Sequence, residues 1–463
     1  MRMAYVTDNL PQRTWSQWLC RRRIIIPIFV LLILILFPFV SRAWHIAQIP
    51  DLPEPCDPFE FETPSVAEDL NARSYFQQAM VEFVEYQQQL EANEQDQETE
   101  SSLDMTEEEF QEFINDPPAF VLSWQLGCEC SEFEIIFRQD TESYKIKDTW
   151  DGYKSLASYF LRLGQTHLNR NEPSVAFDHF REVFRAGLLM QQNGDDHQFE
   201  HGSRIANAAI YQGVFLWAAL PDVTEDDLMN ARLILDSDLR ELRHPVSEIV
   251  LHDYTRWMQQ VVNPQTKSLR SGVFSMGRPD DFAPHKDLLL FCLGEPTRFK
   301  RLLKQVAYNA LSQCDRPFYQ RTEFPGQKFH LFLTATSELP AGALPAPRLD
   351  NALSREFHLN GVNLFHAIQS YDKFEVSLRL LDIMLLLETH KRRYESYPTS
   401  FQEMDEDLAE ALPFDPFNNK SFHYRIEPDG SLLIYSVGFN KIDDDGNIEK
   451  VRDLGRRIPV IKD

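Results

Sequence analysis

His197, Glu200 and His201 carry the sharpest chemical pattern in the chain, in the order H-x-x-E-H. On one helical face two such histidines could hold a zinc ion while the glutamate activates a water, the arrangement of a metal-dependent hydrolase. Gly194-Asp195-Asp196 before the motif and Gly202 after it place it at the surface, in a link ahead of a helix. Histidine and glutamate are common enough for this spacing to arise by chance. The expectation is therefore no catalytic residues, with a zinc hydrolase as the alternative. Ser275 lies in Gly272-Val273-Phe274-Ser275-Met276-Gly277, one residue too long for the elbow that exposes a nucleophilic serine. Cys128 and Cys130 flank one glutamate, but no second Cys/His pair follows at finger-like spacing, so loop disulfides or free thiols are the plainer readings.

A second cluster lies near the C-terminus, where Asn440, Asp443, Asp444, Asp445, Gly446 and Asn447 share one short loop. Calcium takes six to eight oxygen ligands, and closely spaced Asp and Asn with a glycine for tight turning can supply them. The expected ligands are Asn440, Asp443, Asp445 and Asp453, completed by backbone carbonyls near Val437 or Ile442. An EF-hand is excluded, because no glutamate stands at the twelfth position. The alternative is an acidic turn with no fixed ion.

The elements that must position these residues are mostly helical. Ile24–Val40 is an uncharged apolar run preceded by Arg21, Arg22 and Arg23 and followed by Asp51, Glu54 and Asp57. This predicts a transmembrane anchor over 24–40, with a cytoplasmic tail at 1–23 and the rest of the chain outside. Cleavage as a signal peptide is the rival, although Ser41-Arg42-Ala43 is a poor cleavage site. The proline-rich acidic stretch 41–64 reads as a stalk. A body over 65–362 follows, with helices predicted from Ser65, over Trp150–Met190 as a hairpin broken at Asn169–Pro173, and over Ser203–Leu220, Thr224–Leu242, Val246–Val262 and Lys286–Gln313. Gly164 and Ala176 would let the two helices of the hairpin approach closely. No Lys or Arg occurs from Ser74 to Phe137, while sixteen Asp and Glu do, so the segment near 91–116 reads as a solvated acidic face. Pro264–Pro284 and Pro340–Pro347 read as loops. The last helix, Asn363–Tyr394, is apolar on almost every face over Val376–Leu387, which marks a buried core helix.

After Tyr397-Pro398 the period changes. Phe422, Tyr424 and Ile426 alternate, Pro428-Asp429-Gly430 is turn chemistry, Leu432–Val437 is a second strand, and Ile458-Pro459-Val460 reads as a short edge strand. Together with Leu412-Pro413-Phe414-Asp415-Pro416-Phe417, Tyr435-Ser436-Val437-Gly438-Phe439-Asn440, Asp443–Gly446 and Asp453, this region resembles the C-terminal part of the type II secretion major pseudopilin. The resemblance covers 363–463 and implies an α+β module ending in a calcium-binding loop. Asn418 and Ser396 replace glycines of that pattern, and the family's N-terminal processing motif is absent. The helical region is diffusely similar to large membrane-anchored envelope proteins of planctomycete-type bacteria.

The net charge of −25 repels phosphate backbones and excludes nucleic acid as a partner. The combined expectation is a mainly α protein with an N-terminal transmembrane helix, an α-helical body, and a long buried helix leading into a small antiparallel β module. It would sit as a single-pass protein in the bacterial inner membrane with its C-terminus extracytoplasmic. There it would act as a scaffold for an envelope protein partner, with a calcium-stabilised end. A component of a type II secretion-like apparatus is a further alternative.

Overall fold

The computed structural model describes residues 15–48, 51–56, 66–93, 107–134, 143–194, 196–243, 245–262, 295–321, 363–448 and 453–458. The expected loops at Pro264–Pro284 and Pro340–Pro347, and Ser275 with them, lie outside these residues. The chain divides into two compact units, one built from 1–53, 260–305 and 344–358 and the other from the remainder.

In the first unit, helix α1 spans Trp15–Ala47 and contains the whole expected anchor. Its side chains from Ile26 to Phe37, apart from Pro27, include only large apolar groups, and all of these are exposed. Over the described residues alone, no helix, α1 included, is long and apolar enough to cross a membrane. The end of α1 is tied by Arg301, whose Nη1 donates to the Ile46 carbonyl at 2.9 Å, and Asp51 pairs with Lys304 at 3.1 Å.

The second unit is mainly helical, with a three-stranded sheet formed near the C-terminus. Helix α2 (Ala72–Asn93) packs on α4 (Ala119–Glu129), and the two share an aromatic core with α5 (Ser143–Asn169). Trp124 stacks on Phe160 at 4.9 Å and touches Phe76 at 4.9 Å. Inside the acidic segment a helix forms at α3 (Glu107–Asn115), because Phe110 and Phe113 fall on one side and are buried. Helix α5 turns at Arg170–Glu172 into α6 (Pro173–Leu189), where Pro173 occupies the first turn and gives up an amide that would lack a partner there. The close approach expected from Gly164 is present: a Cβ there would meet the Phe180 ring.

Helix α7 (Asp196–Ala209) begins earlier than its sequence pattern predicted. It runs through one π-helical turn, Ile210–Val214, into α8 (Phe215–Ala218). Glycine permits this turn, since a Cβ on Gly213 would meet the Phe180 ring. Helix α9 (Glu225–Leu242) starts at a full capping box, in which Thr224 Oγ1 accepts from the Asp227 amide and the Asp227 carboxylate accepts from the Thr224 amide. Helix α10 (Val246–Val262) matches its expected bounds, whereas α11 is described over Glu295–Gln313.

Helix α12 (Asn363–Tyr394) packs against α7 and α9, and its apolar stretch is buried as expected. Asp382 pairs with Arg232 of α9, and Glu375 with Arg243 at 2.5 Å. A short helix α13 (Glu406–Glu410) precedes the sheet, whose strands are β1 (His423–Ile426), β2 (Leu432–Ser436) and β3 (Leu454–Ile458), all antiparallel in the order β1-β2-β3. The third strand ends where an edge strand was expected to begin. Its Gly-Arg-Arg centre shows no alternation, and pairing with β2 from Leu454↔Ser436 to Ile458↔Leu432 decides its position. Every residue of β2 is buried.

Candidate functional site

The acidic loop between β2 and β3 folds over the sheet. A Cβ on Gly446, whose φ is +70°, would meet Leu433 and Tyr435 of β2, so the glycine permits both the turn and the close approach. The loop's carboxylates bond both to its own amides and to side chains of β1 and β2. Asp443 Oδ1 accepts from the Asp445 amide at 2.9 Å and the Tyr435 hydroxyl at 3.1 Å, and its other oxygen lies 3.4 Å from His423 Nδ1. Asn440 Oδ1 accepts from the Ile442 amide and its Nδ2 donates to Asp444. Asp453 is buried and accepts from the amides of Asp444 at 3.4 Å and Asn447 at 3.1 Å. Asp445 turns outward to Arg425, whose Nη1 donates to it at 2.6 Å.

Each of the four expected calcium ligands is thus engaged by another group of the protein. Asp453 does close the loop, but through amides, and the positive charge that Asp445 meets is a guanidinium. Among the described residues no three His, Cys, Asp or Glu side chains are grouped to hold a metal ion.

The H-x-x-E-H motif lies inside α7, not in a link ahead of a helix. Its two imidazoles face each other, with Nε2 atoms 3.3 Å apart. His201 lies flat on Trp150, with ring centroids 4.9 Å apart and planes 5° from parallel. Burial, with His197 and Arg204 adding to it, holds the His201 imidazole below its usual range. Glu200 is engaged by Arg204, one turn on, at 2.5 Å. Gly202 is buried and not a surface residue: a Cβ there would lie 2.6 Å from the Gly187 carbonyl and 2.8 Å from the Gln191 amide. The motif was placed outside a helix because its glycines and acids read as a break. Tight contact with α6 requires the glycine at 202, and Gly194 lies against the Gln198 side chain.

Cys128 and Cys130 are buried thiols that donate to the carbonyls of Glu182 at 3.3 Å and Leu126 at 3.4 Å. Burial raises both above the usual thiol range, Cys128 the further, and so disfavours the thiolate that zinc would need.

Several buried polar groups join the elements of the body, and for Asp238 and Asp372 the partners stand far away along the chain. Asp238 of α9 is fully buried and accepts from Arg181 at 2.7 Å and Arg185 at 2.5 Å, both on α6. Arg321 clamps Asp372 of α12 through two bonds of 2.6 and 2.7 Å, and burial still pushes that carboxyl up to about 6. Glu388 accepts from the Tyr397 hydroxyl and lies near Arg392, and burial raises it too. His167 is held by Glu172 at 2.6 Å, and its Nε2 is buried without a hydrogen-bond partner. In the β module Asp415 accepts from the Phe417 amide at 2.9 Å, Ser436 Oγ at 2.8 Å and the Val437 amide at 3.1 Å. These charges and dipoles are spent on joining elements, and none of these pairs is arranged as a nucleophile beside a base. No family model, curated protein or solved structure matches the chain.

Proposed function

We propose that the chain is a non-catalytic scaffold of a bacterial envelope, anchored by α1, with its helical body outside the cytoplasm and available to a protein partner. The observation that carries this reading is the exposed apolar run from Ile26 to Phe37. Water opposes such a surface on every side of a helix, and a hydrocarbon phase accepts it. In sequence the run extends from Ile24 to Val40, close to the length a bilayer core needs, and the three arginines before it set the cytoplasmic side. Pro27 and Pro38 fit the same setting, since proline is more frequent in membrane helices than in soluble ones.

The body supports a role by contact and not by turnover. Its carboxylates and guanidiniums close on one another, and Glu200, the base a hydrolase would need, is bound to Arg204. The test is fractionation of cells making the full chain. It should stay with membranes through an alkaline carbonate wash, and protease admitted to the outer compartment should digest a tag at Asp463. Deleting 24–40 should release the chain. Full solubility of the intact chain without detergent would overturn the proposal, as would complete protection of the tag.

A further inference from the structure

The pair His197 and His201 has a geometry that the proposed scaffold does not use. Their Nε2 atoms face each other at 3.3 Å, the long end of a hydrogen bond. Two imidazole nitrogens bound at about 2.0–2.1 Å to one tetrahedral ion lie about 3.3 Å apart. The separation in the helix is thus already the one that an ion between the rings would require.

Two further features hold this spacing. The residues stand one turn apart on α7, so the backbone sets the distance between their Cβ atoms. His201 is also pinned face to face on Trp150 of α5, which removes most of its freedom to swing away. His197 is exposed, so the remaining coordination positions face water. Glu200, the other potential ligand of the motif, is drawn off by Arg204.

We infer that His197 and His201 form a solvent-open, two-histidine site for a late first-row divalent ion such as zinc, nickel or copper. Imidazole suits these ions, whereas calcium and magnesium prefer oxygen. With water completing the shell, the site binds and can exchange its ion, and it lacks the third protein ligand of a hydrolytic zinc centre.

The test is equilibrium dialysis of the full chain, purified in detergent through a tag without histidines, against zinc chloride and separately nickel chloride. One ion per chain should bind, and millimolar calcium should not compete. His197→Ala should lower the affinity at least about tenfold, and so should His201→Ala. Glu200→Gln should leave it unchanged. The exposed His197 is the decisive position, because its variant should melt like the parent in the absence of metal, whereas His201→Ala also loses the Trp150 stack. Added nickel should raise the melting temperature of the parent and not of His197→Ala. Equal binding by the parent and His197→Ala would overturn the assignment, as would a parent chain that takes up neither ion at about 100 µM.

Discussion

Asp415 shows how one side chain organises the end of the molecule. It is fully buried, and its carboxylate joins the Phe417 turn to the end of β2 through two amides and a hydroxyl. Hydrogen bonds to a charged group each contribute about 1.5–3 kcal/mol, and their loss strands buried donors. Asp415→Ala should therefore lower unfolding stability by about 2–4 kcal/mol in a urea titration, while Asp415→Asn, which keeps one acceptor, should lose less. A change under about 0.5 kcal/mol would mean that the three donors find other partners. The acidic loop calls for the opposite outcome. Asp445 is matched by Arg425 and Asp453 by backbone amides. Melting curves in chelator and in millimolar calcium should then coincide, and a calcium-dependent rise would restore the expected ligand set. Sequence composition showed that this loop needs a positive partner. It could not show that the partner is an arginine on β1, because that depends on the strand register.

At the scale of elements, the contact between α6 and α7 depends on missing side chains. A Cβ on Gly187 would fall on the backbone amide of Ala206, and one on Gly202 would meet the Gly187 carbonyl. Backbone cannot yield as a flexible side chain can, so Gly187→Ala should destabilise by about 1–3 kcal/mol. That sign opposes the gain alanine brings in an open helix, which makes thermal unfolding a clear check. The helices with strong internal signals, such as α9 with its Thr224 cap and α12 with its apolar middle, were legible in the sequence. The start of α7 and the placement of β3 were not. The first was hidden by glycines, of which Gly202 is required by packing on α6, and the second by a strand whose centre is Gly455-Arg456-Arg457 and whose position comes from its neighbour. The candidate site was legible as a motif but not as a geometry, since Trp150 and Arg204 decide what its members do.

For the whole molecule, buried titrating groups set the response to acid. His167, His201 and His390 are all held below 6.5, chiefly by burial. Below that pH the unfolded chain takes up protons before the folded one does, so stability falls as the pH drops through this range. Asp372 acts in the other direction. Its folded value is about 6 against 3.8, so its contribution is fully present below 3.8 and is lost as the pH rises through about 6. Between pH 4 and 6 the two trends oppose each other. Urea midpoints measured across that range should fall more steeply on acidification in Asp372→Asn than in the parent, whatever the absolute loss from leaving Arg321 unpaired. Parallel curves would remove Asp372 from the account.

The sheet order carries a consequence for synthesis. β2 is the middle strand, yet β3, its second neighbour, is also the last described piece of the chain to be made. β3 is also the strand that brings Arg456 over the Tyr211 ring at 3.9 Å. Until the ribosome has delivered Leu454–Ile458, the apolar sequence Leu432-Leu433-Ile434-Tyr435-Ser436 presents a bare hydrogen-bonding edge, the kind that recruits strands from other chains. A nascent or prematurely terminated chain ending at Ile448 should therefore be found in aggregates or on holdase chaperones. A pelleting assay on that truncation would show whether the segment bearing β3 is what protects the chain on its way to the folded state.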